Sequence, residues 1–240
     1  MQTRVLGVRV DAVTMDKAVE IIEAFIGGGE PHLVATANAE MVMAAQNDLQ
    51  LAGILEKADI VVPDGAGVVW AARYQGCEVP ERVAGYDLVQ RLLARSAACG
   101  YRVYFFGGAD GIAQRAAETA KVWYPGITVA GVRHGFFTPA EMPGIIEEIR
   151  VKRVDILLVA LGVPKQEKWL AANMRELDIP VSIGVGGSFD VMAGNVKRAP
   201  LWMRRLSLEW LFRLLLQPQR AIRMLALPRF VFAVLGAKKH

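Results

Sequence analysis

Asp64 is the residue of this chain that a reaction mechanism would most readily use. It follows the apolar run 60–62 and Pro63, and it precedes Gly65. A carboxylate at the end of a buried strand is partly withdrawn from water, a setting that suits a general base. The same position also suits an aspartate that caps the following helix, and the sequence leaves both roles open.

Thr36 and Asn38 lie at the end of another apolar run, His32–Ala37. Because side chains alternate along a strand, both can face one side, where a hydroxyl and an amide would bond a sugar or a phosphate. Simple turn chemistry is the alternative for both residues.

Gln166 comes near the start of a predicted helix, after a turn that contains glycine, and Asp190 follows another glycine turn. Lys165 and Lys168 flank Gln166, and these cations together with the N–H groups of a helix start would attract an anion. For the charged residues, a solvated first helical turn is the alternative. Asp190 could bind a hydroxyl or a base.

The elements that must position these residues alternate along the chain. Strand-like runs lie near residues 5–10, 32–37, 60–62, 102–106, 127–132, 155–160 and 180–185, with helical segments between most of them. This order predicts an α/β fold, with a Rossmann-like, largely parallel sheet flanked by helices. Ligands bind beyond the carboxyl ends of such strands. Glycine and polar residues follow several of them, which predicts a nucleotide-type pocket.

The charge of the chain is divided between two regions. Residues 197–240 hold ten Lys/Arg and one acid, Glu209, a net charge of +9; since the whole chain carries +4, residues 1–196 carry −5. Trp202 and Trp210 lie in the basic region among Leu, Phe and Met, a composition suited to an anionic membrane surface. We therefore predict an α/β catalytic domain over 1–196 and a membrane-associating helical appendage over 197–240.

Within the appendage, we expect Ser207 to cap a helix over residues 208–216, and Pro218 to begin a second helix that ends near residue 227. Arg220 and Arg223, three residues apart, would share a helix face, with Arg213 nearby.

Several kinds of site are disfavoured by what the sequence lacks. Cys77 and Cys99 have no metal or redox spacing, which is typical of reduced thiols in a cytosolic protein. The three histidines are unpaired, no D-x-D pair occurs, and no G-x-G-x-x-G fingerprint supports a dehydrogenase. Neither a signal peptide nor a membrane-spanning stretch is evident. The expectation is a protein that lies on a membrane without crossing it.

Taken together, these stretches resemble the bacterial N-acetylmannosaminyltransferase family of wall teichoic acid, enterobacterial common antigen and capsule synthesis, the WecG/TagA/CpsF family (glycosyltransferase family 26). The matching stretches run in the family's order over nearly the whole chain: residues 36–38, 58–70, 82–88, 162–169, 184–190, 197–200 and 208–211. One local departure is Ala37, where many relatives carry proline.

The resemblance implies an inverting glycosyltransferase that is peripheral on the cytoplasmic face of the bacterial membrane. It would transfer N-acetylmannosamine from UDP-N-acetylmannosamine to undecaprenyl-diphosphate-linked N-acetylglucosamine. It also implies Asp64 as the catalytic base with Thr36 beside it, and substrate binding by Asn38, Gln166 and three tail arginines that hold the diphosphate, Arg213, Arg220 and Arg223.

Without a D-x-D pair, arginine forks are the natural partners of a leaving diphosphate, so neither metal nor cofactor is expected. No nucleic-acid partner is expected either, because the basic region is rich in Leu, Phe and Trp; a homo-oligomer is left open. The alternatives are another UDP-sugar donor, such as glucose or a uronic acid, and a non-enzymatic lipid-binding module.

Overall fold

The computed structural model describes residues 2–206, 208–216 and 224–237, without the side chains of Arg205 and Arg213. It begins with an antiparallel hairpin of β1 (Gln2–Val5) and β2 (Val8–Asp11). A single strand over residues 5–10 was expected from the sequence, and that expectation is wrong. Leu6 and Gly7 both take positive φ, 48° and 80°, and thereby reverse the chain.

The main sheet has six strands in the order β4-β3-β8-β7-β5-β6, and every neighbouring pair is parallel. This confirms the predicted α/β fold. The strands are β3 (His32–Ala37), β4 (Ile60–Pro63), β5 (Arg102–Gly107), β6 (Thr128–Arg133), β7 (Ile156–Ala160) and β8 (Val181–Gly184).

Helices cover both faces of this sheet, and a 3₁₀ turn at Pro139–Glu141 precedes one of them. They are α1 (Met15–Gly28), α2 (Ala39–Ala45), α3 (Leu49–Lys57), α4 (Ala66–Tyr74), α5 (Gly85–Cys99), α6 (Ile112–Trp123), α7 (Met142–Arg150), α8 (Lys165–Leu177), α9 (Ser188–Met192), α10 (Leu201–Arg205), α11 (Glu209–Leu216) and α12 (Ala226–Gly236).

The hydrophobic core is divided by the sheet into two layers, as strand alternation requires. Along β5, Tyr104 and Phe106 belong to the layer with α2, α3, α4, α7 and α8, whereas Val103 and Phe105 belong to the layer with α1, α5, α6 and α9. Because both faces are buried, the strands are apolar nearly throughout, which is the pattern of a parallel sheet.

The C-terminal region returns to this core. Helix α12 packs against α2 and α4, and it buries Phe230 and Val234 in the first of the two layers. Helix α11 agrees with the helix predicted over residues 208–216, while Ser207 lies outside the described residues. Leu225 forms a turn, after which α12 begins at Ala226 and extends to Gly236, past the end predicted near residue 227. Pro228 falls in the first turn of α12, where its missing N–H is tolerated. The start predicted for that helix, at Pro218, lies outside the described residues.

Among the helices of the described residues, none is both long and apolar enough to cross a membrane. The division into units at 196/197 stays a prediction.

Candidate active site

A cavity of about 590 Å³ lies at the carboxyl ends of the parallel strands. The sheet side contributes Thr36 from β3, Asp64 after β4, Gln166 from α8 and Ser188 from α9. The other side comes from the C-terminal region, with Glu209, Trp210, Leu227, Phe230 and Val231. The order of strands and the positions of the glycines in the sequence predicted a pocket at this edge of the sheet.

Strand register brings Asp64 beside the end of β3. Thr36 is aligned with Val62 and Ala37 with Pro63, and the Asp64 N–H donates to the Ala37 carbonyl at 2.9 Å. The carboxylate in turn accepts the Gly85 N–H through Oδ1 at 2.9 Å. Asp64 therefore does cap a helix, although the helix is α5, which begins at Gly85, and not α4, which follows Asp64 directly.

Thr36 is buried against the same turn. A Cβ on Gly85 would lie only 3.2 Å from Cγ2 of Thr36, so this close approach requires glycine or a displaced neighbour. A Cβ on Gly65 would lie 3.2 Å from Cα of Asn38. The two glycines thus let the ends of β3 and β4 and the start of α5 converge on one small region of the cavity wall.

Asn38 caps α2, because its Oδ1 accepts the Met41 N–H at 2.9 Å. It also lines the cavity. The turn chemistry considered as the alternative is thus present. A cap of this kind uses only the amide oxygen and leaves the NH₂ group for other bonds. Its substrate-binding role stays a prediction.

Gln166 is 1% exposed and lines the cavity. Its Oε1 accepts the N–H of Gly162 at 3.2 Å and of Gly186 at 3.1 Å, which joins the loops that follow β7 and β8. Its Nε2 donates to Oε1 of Glu167 at 2.7 Å. The side chain thus has a structural use that the sequence did not indicate.

The two lysines beside Gln166 do not extend this wall. Lys168 pairs with Asp48 at 2.6 Å, and Lys165 is exposed. Neither lysine is among the described residues that line the cavity. The attraction of an anion to these lysines therefore stays a prediction.

Asp190 lies in the first turn of α9, and within the described chain it is Ser188, and not Asp190, that reaches the cavity. The side chain of Arg213 and the whole of Arg220 and Arg223 lie outside the described residues. The roles predicted for these four residues stay predictions.

Two arginines that the sequence interpretation did not select line the cavity together with Glu209. Arg82 donates through Nε to the Asp64 carbonyl at 2.6 Å and forms an ion pair with Glu209. Arg198 places Nε 3.9 Å from Oε1 of the same carboxylate. Two guanidinium groups therefore surround one acid. The one available signal was that Glu209 is the single acid of the basic region.

Arg198 is itself held by residues of α5. Its Nη2 contacts both carboxylate oxygens of Asp87, at 2.6 and 2.7 Å, and its guanidinium lies 4.4 Å from the ring centroid of Tyr86. Burial raises the pKa of the Tyr86 hydroxyl, so Tyr86 stays neutral. These contacts hold a cation at the cavity wall.

Glu167 is the second feature that was missed. It is 2% exposed, and burial raises its pKa to about 7. Among the described residues its Oε2 has no hydrogen-bond partner. Glu167 stands three residues before Leu170, a buried core residue, and this helical spacing was the available signal.

Residues 3–240 match the model of the glycosyl transferase WecG/TagA/CpsF family. The chain belongs to this family. The family resemblance inferred from the sequence is therefore confirmed.

Curated relatives of this chain carry the name N-acetylglucosaminyldiphosphoundecaprenol N-acetyl-beta-D-mannosaminyltransferase. The protein of Bacillus subtilis (strain 168) is 36% identical over 208 residues, 87% of this chain and 80% of the relative. That of Bacillus spizizenii is 38% identical over 212 residues, 86% and 82%. That of Staphylococcus aureus (strain NCTC 8325) is 30% identical over 237 residues, 98% and 92%.

Proposed function

We propose that this chain is an inverting glycosyltransferase that moves N-acetylmannosamine from UDP-N-acetylmannosamine to undecaprenyl-diphosphate-linked N-acetylglucosamine. The observation that carries the proposal is the position of Asp64 at the wall of a cavity of about 590 Å³, in a chain of the glycosyl transferase WecG/TagA/CpsF family. The relatives' printed names supply the sugar and the acceptor.

Asp64 is proposed as the base that takes the proton of the acceptor hydroxyl while that oxygen attacks the anomeric carbon of the donor. The Gly85 N–H bond to Oδ1 supports this role, because it fixes the orientation of the carboxylate. Thr36, packed on Gly85, is proposed to shape the same region. The bond from the anomeric carbon to the diphosphate breaks as the new bond forms, and UDP leaves.

Positive charge must meet the diphosphate that leaves. Arg82 and Arg198 already bind a carboxylate at the cavity wall, which supports their binding a phosphate in its place. The predicted arginines, Arg213, Arg220 and Arg223, would add to this charge. We therefore propose transfer that needs no metal ion.

A lipid-linked acceptor requires contact with the membrane, and the C-terminal region offers apolar side chains for it. Trp210 is 42% exposed and also lines the cavity, so one residue joins the outer surface to the site. Large apolar residues of α10, α11 and α12 are exposed as well: Leu201, Trp202, Leu215, Phe232 and Leu235. We propose that this surface lies on the inner face of the bacterial cell membrane.

The testing experiment measures UDP release from UDP-N-acetylmannosamine, with and without a short-chain lipid-diphosphate N-acetylglucosamine and with and without EDTA. We expect release that depends on the acceptor and resists EDTA. Loss of release in EDTA would refute metal independence, whereas equal release without acceptor would indicate hydrolysis. Release from UDP-glucose or a UDP-uronic acid alone would reassign the donor, and no release from any donor would favour a lipid-binding module.

A further inference from the structure

Glu167 is a buried acid behind the cavity wall, and the proposed chemistry gives it no part. It is 2% exposed, and within the described part of the chain its Oε2 has no hydrogen-bond partner. A polar group buried in this way costs stability that an apolar side chain would not. Its Oε1, by contrast, accepts Nε2 of Gln166 at 2.7 Å.

This hydrogen bond and two backbone donors together set which way the amide of Gln166 points. Its Oε1 receives the N–H groups of Gly162 and Gly186 at 3.2 and 3.1 Å. A flipped amide would set its NH₂ group against those two donors, and its oxygen against the Glu167 oxygen. An acceptor at residue 167 therefore selects the orientation in which all these bonds form.

The orientation matters because the two joined loops belong to the cavity. Gly186 and Gly187 line the cavity directly, and so does Val163, which follows Gly162. The side chains of Gln166 and Glu167 pack on strand β8 without spare room. A Cβ on Gly184 would lie 2.5 Å from Nε2 of Gln166 and 3.0 Å from Oε1 of Glu167. Any shift of Gln166 would thus be transmitted to backbone that faces the ligand.

We propose that Glu167 is a positioning residue: its oxygen fixes the Gln166 amide, which ties the β7 and β8 loops into the wall of the cavity. The inference rests on the proposed function, in which this cavity receives a UDP-sugar. Ionisation is not required, because a carboxylate and a neutral carboxyl group both present an acceptor oxygen.

Four variants separate this role from general packing. Glu167→Gln keeps an acceptor oxygen, and Glu167→Met keeps the length of the side chain but removes the acceptor. Glu176→Met is the matched control, because Glu176 is an exposed acid on the same helix. Gly184→Ala is an independent route to the same effect, since its new Cβ would displace Gln166.

The first measurement is amide hydrogen exchange at Gly162 and Gly186, followed by NMR in the ligand-free protein. We expect Glu167→Met and Gly184→Ala to exchange at least about tenfold faster at both glycines, while Glu167→Gln and Glu176→Met stay within about twofold of the unaltered chain. Unchanged exchange in a folded Glu167→Met would overturn the proposal. Should Glu167→Met not fold, Gly184→Ala compared with Glu167→Gln decides.

The second measurement is kinetic, with UDP affinity determined in parallel by calorimetry. We expect Glu167→Met to raise KM for the UDP-sugar about tenfold with kcat within about twofold, because it removes binding shared by ground and transition states, and Glu167→Gln to restore both. Equal KM for Glu167→Met and Glu176→Met would overturn the proposal. If the unaltered chain binds no UDP, the proposed function fails, and hydrogen exchange still decides whether Glu167 ties the loops.

Discussion

The two walls of the cavity are built differently. The sheet wall is held by backbone hydrogen bonds and buried side chains, such as the Gly85 bond to Asp64 and the amide of Gln166. The C-terminal wall is held by ion pairs of Glu209 and by the buried face of α12. The helices of this region also expose Trp202, Trp210 and Phe232. On the proposed function, the sheet wall carries the chemistry and the C-terminal wall meets the lipid.

The largest effect is expected at the sheet wall. Asp64→Asn keeps an oxygen that can accept the Gly85 N–H but cannot take a proton, so kcat should fall about 10²- to 10⁴-fold. The measurement is the rate of UDP release, with thermal unfolding as the control for folding. A variant that retains more than about a third of the rate would remove Asp64 as the base.

At the C-terminal wall, a matched pair on α12 tests which face meets which environment. Phe230 is 1% exposed, whereas Phe232 is 74% exposed. Phe230→Ala should lower the free energy of unfolding by about 3–5 kcal/mol, because it leaves a cavity in the core, and Phe232→Ala should leave it nearly unchanged. Denaturant unfolding measures both variants.

For binding to anionic vesicles, Phe232→Ala should have a larger effect than Phe230→Ala. Loss of the exposed Phe232 ring should weaken vesicle binding roughly tenfold, through the apolar area that no longer enters the interface. Equal stability of the two variants would mean that α12 is not docked in solution. Equal vesicle binding by Phe232→Ala and the unaltered chain would mean that this face does not meet lipid.

The pH dependence of stability probes the buried part of the sheet wall. Because the pKa of Glu167 is raised from 4.5 to about 7, its protonated form is favoured in the folded chain, and its contribution is lost as pH rises from about 4.5 through 7. Glu167→Gln should therefore gain up to roughly 3 kcal/mol relative to the unaltered chain between pH 4.5 and pH 8. Denaturant midpoints at these two values measure the gain, and a pH-independent difference would contradict it.

The smallest effect is expected from the ion pairs of the C-terminal wall. Glu209→Gln frees Arg82 of a competing carboxylate and leaves Arg198 paired with Asp87, so UDP should bind roughly threefold to tenfold more tightly, about 1 kcal/mol. Calorimetric titration at low and moderate salt measures this. Weaker binding in the variant would mean that Glu209 supports the wall more than it competes with the ligand.

The sequence predicted the sheet wall well because its residues follow strands, and parallel strands deliver their carboxyl ends to one edge. Asp64, Thr36, Asn38 and Gln166 accordingly line one cavity. What was missed depends on contacts between segments distant in sequence, such as Arg82 with Glu209.

The C-terminal wall was harder to predict for a physical reason. A helix that buries Phe230 and Val234 in protein has the same composition as one that lies on lipid, so an apolar pattern cannot distinguish the two environments. Hairpin β1–β2 was missed for a related reason. Leu6 takes a positive φ, which its side chain does not favour, and only pairing with the second strand explains the turn.

The most direct test of the account is the identity of the lipid product. After incubation of the unaltered chain with UDP-N-acetylmannosamine and the lipid-diphosphate N-acetylglucosamine, mass spectrometry and NMR define the mass added and the new linkage. The account predicts one added N-acetylhexosamine in inverted, β configuration, and no such product with Asp64→Asn. A retained α linkage, or equal product from Asp64→Asn, would contradict a single displacement assisted by Asp64.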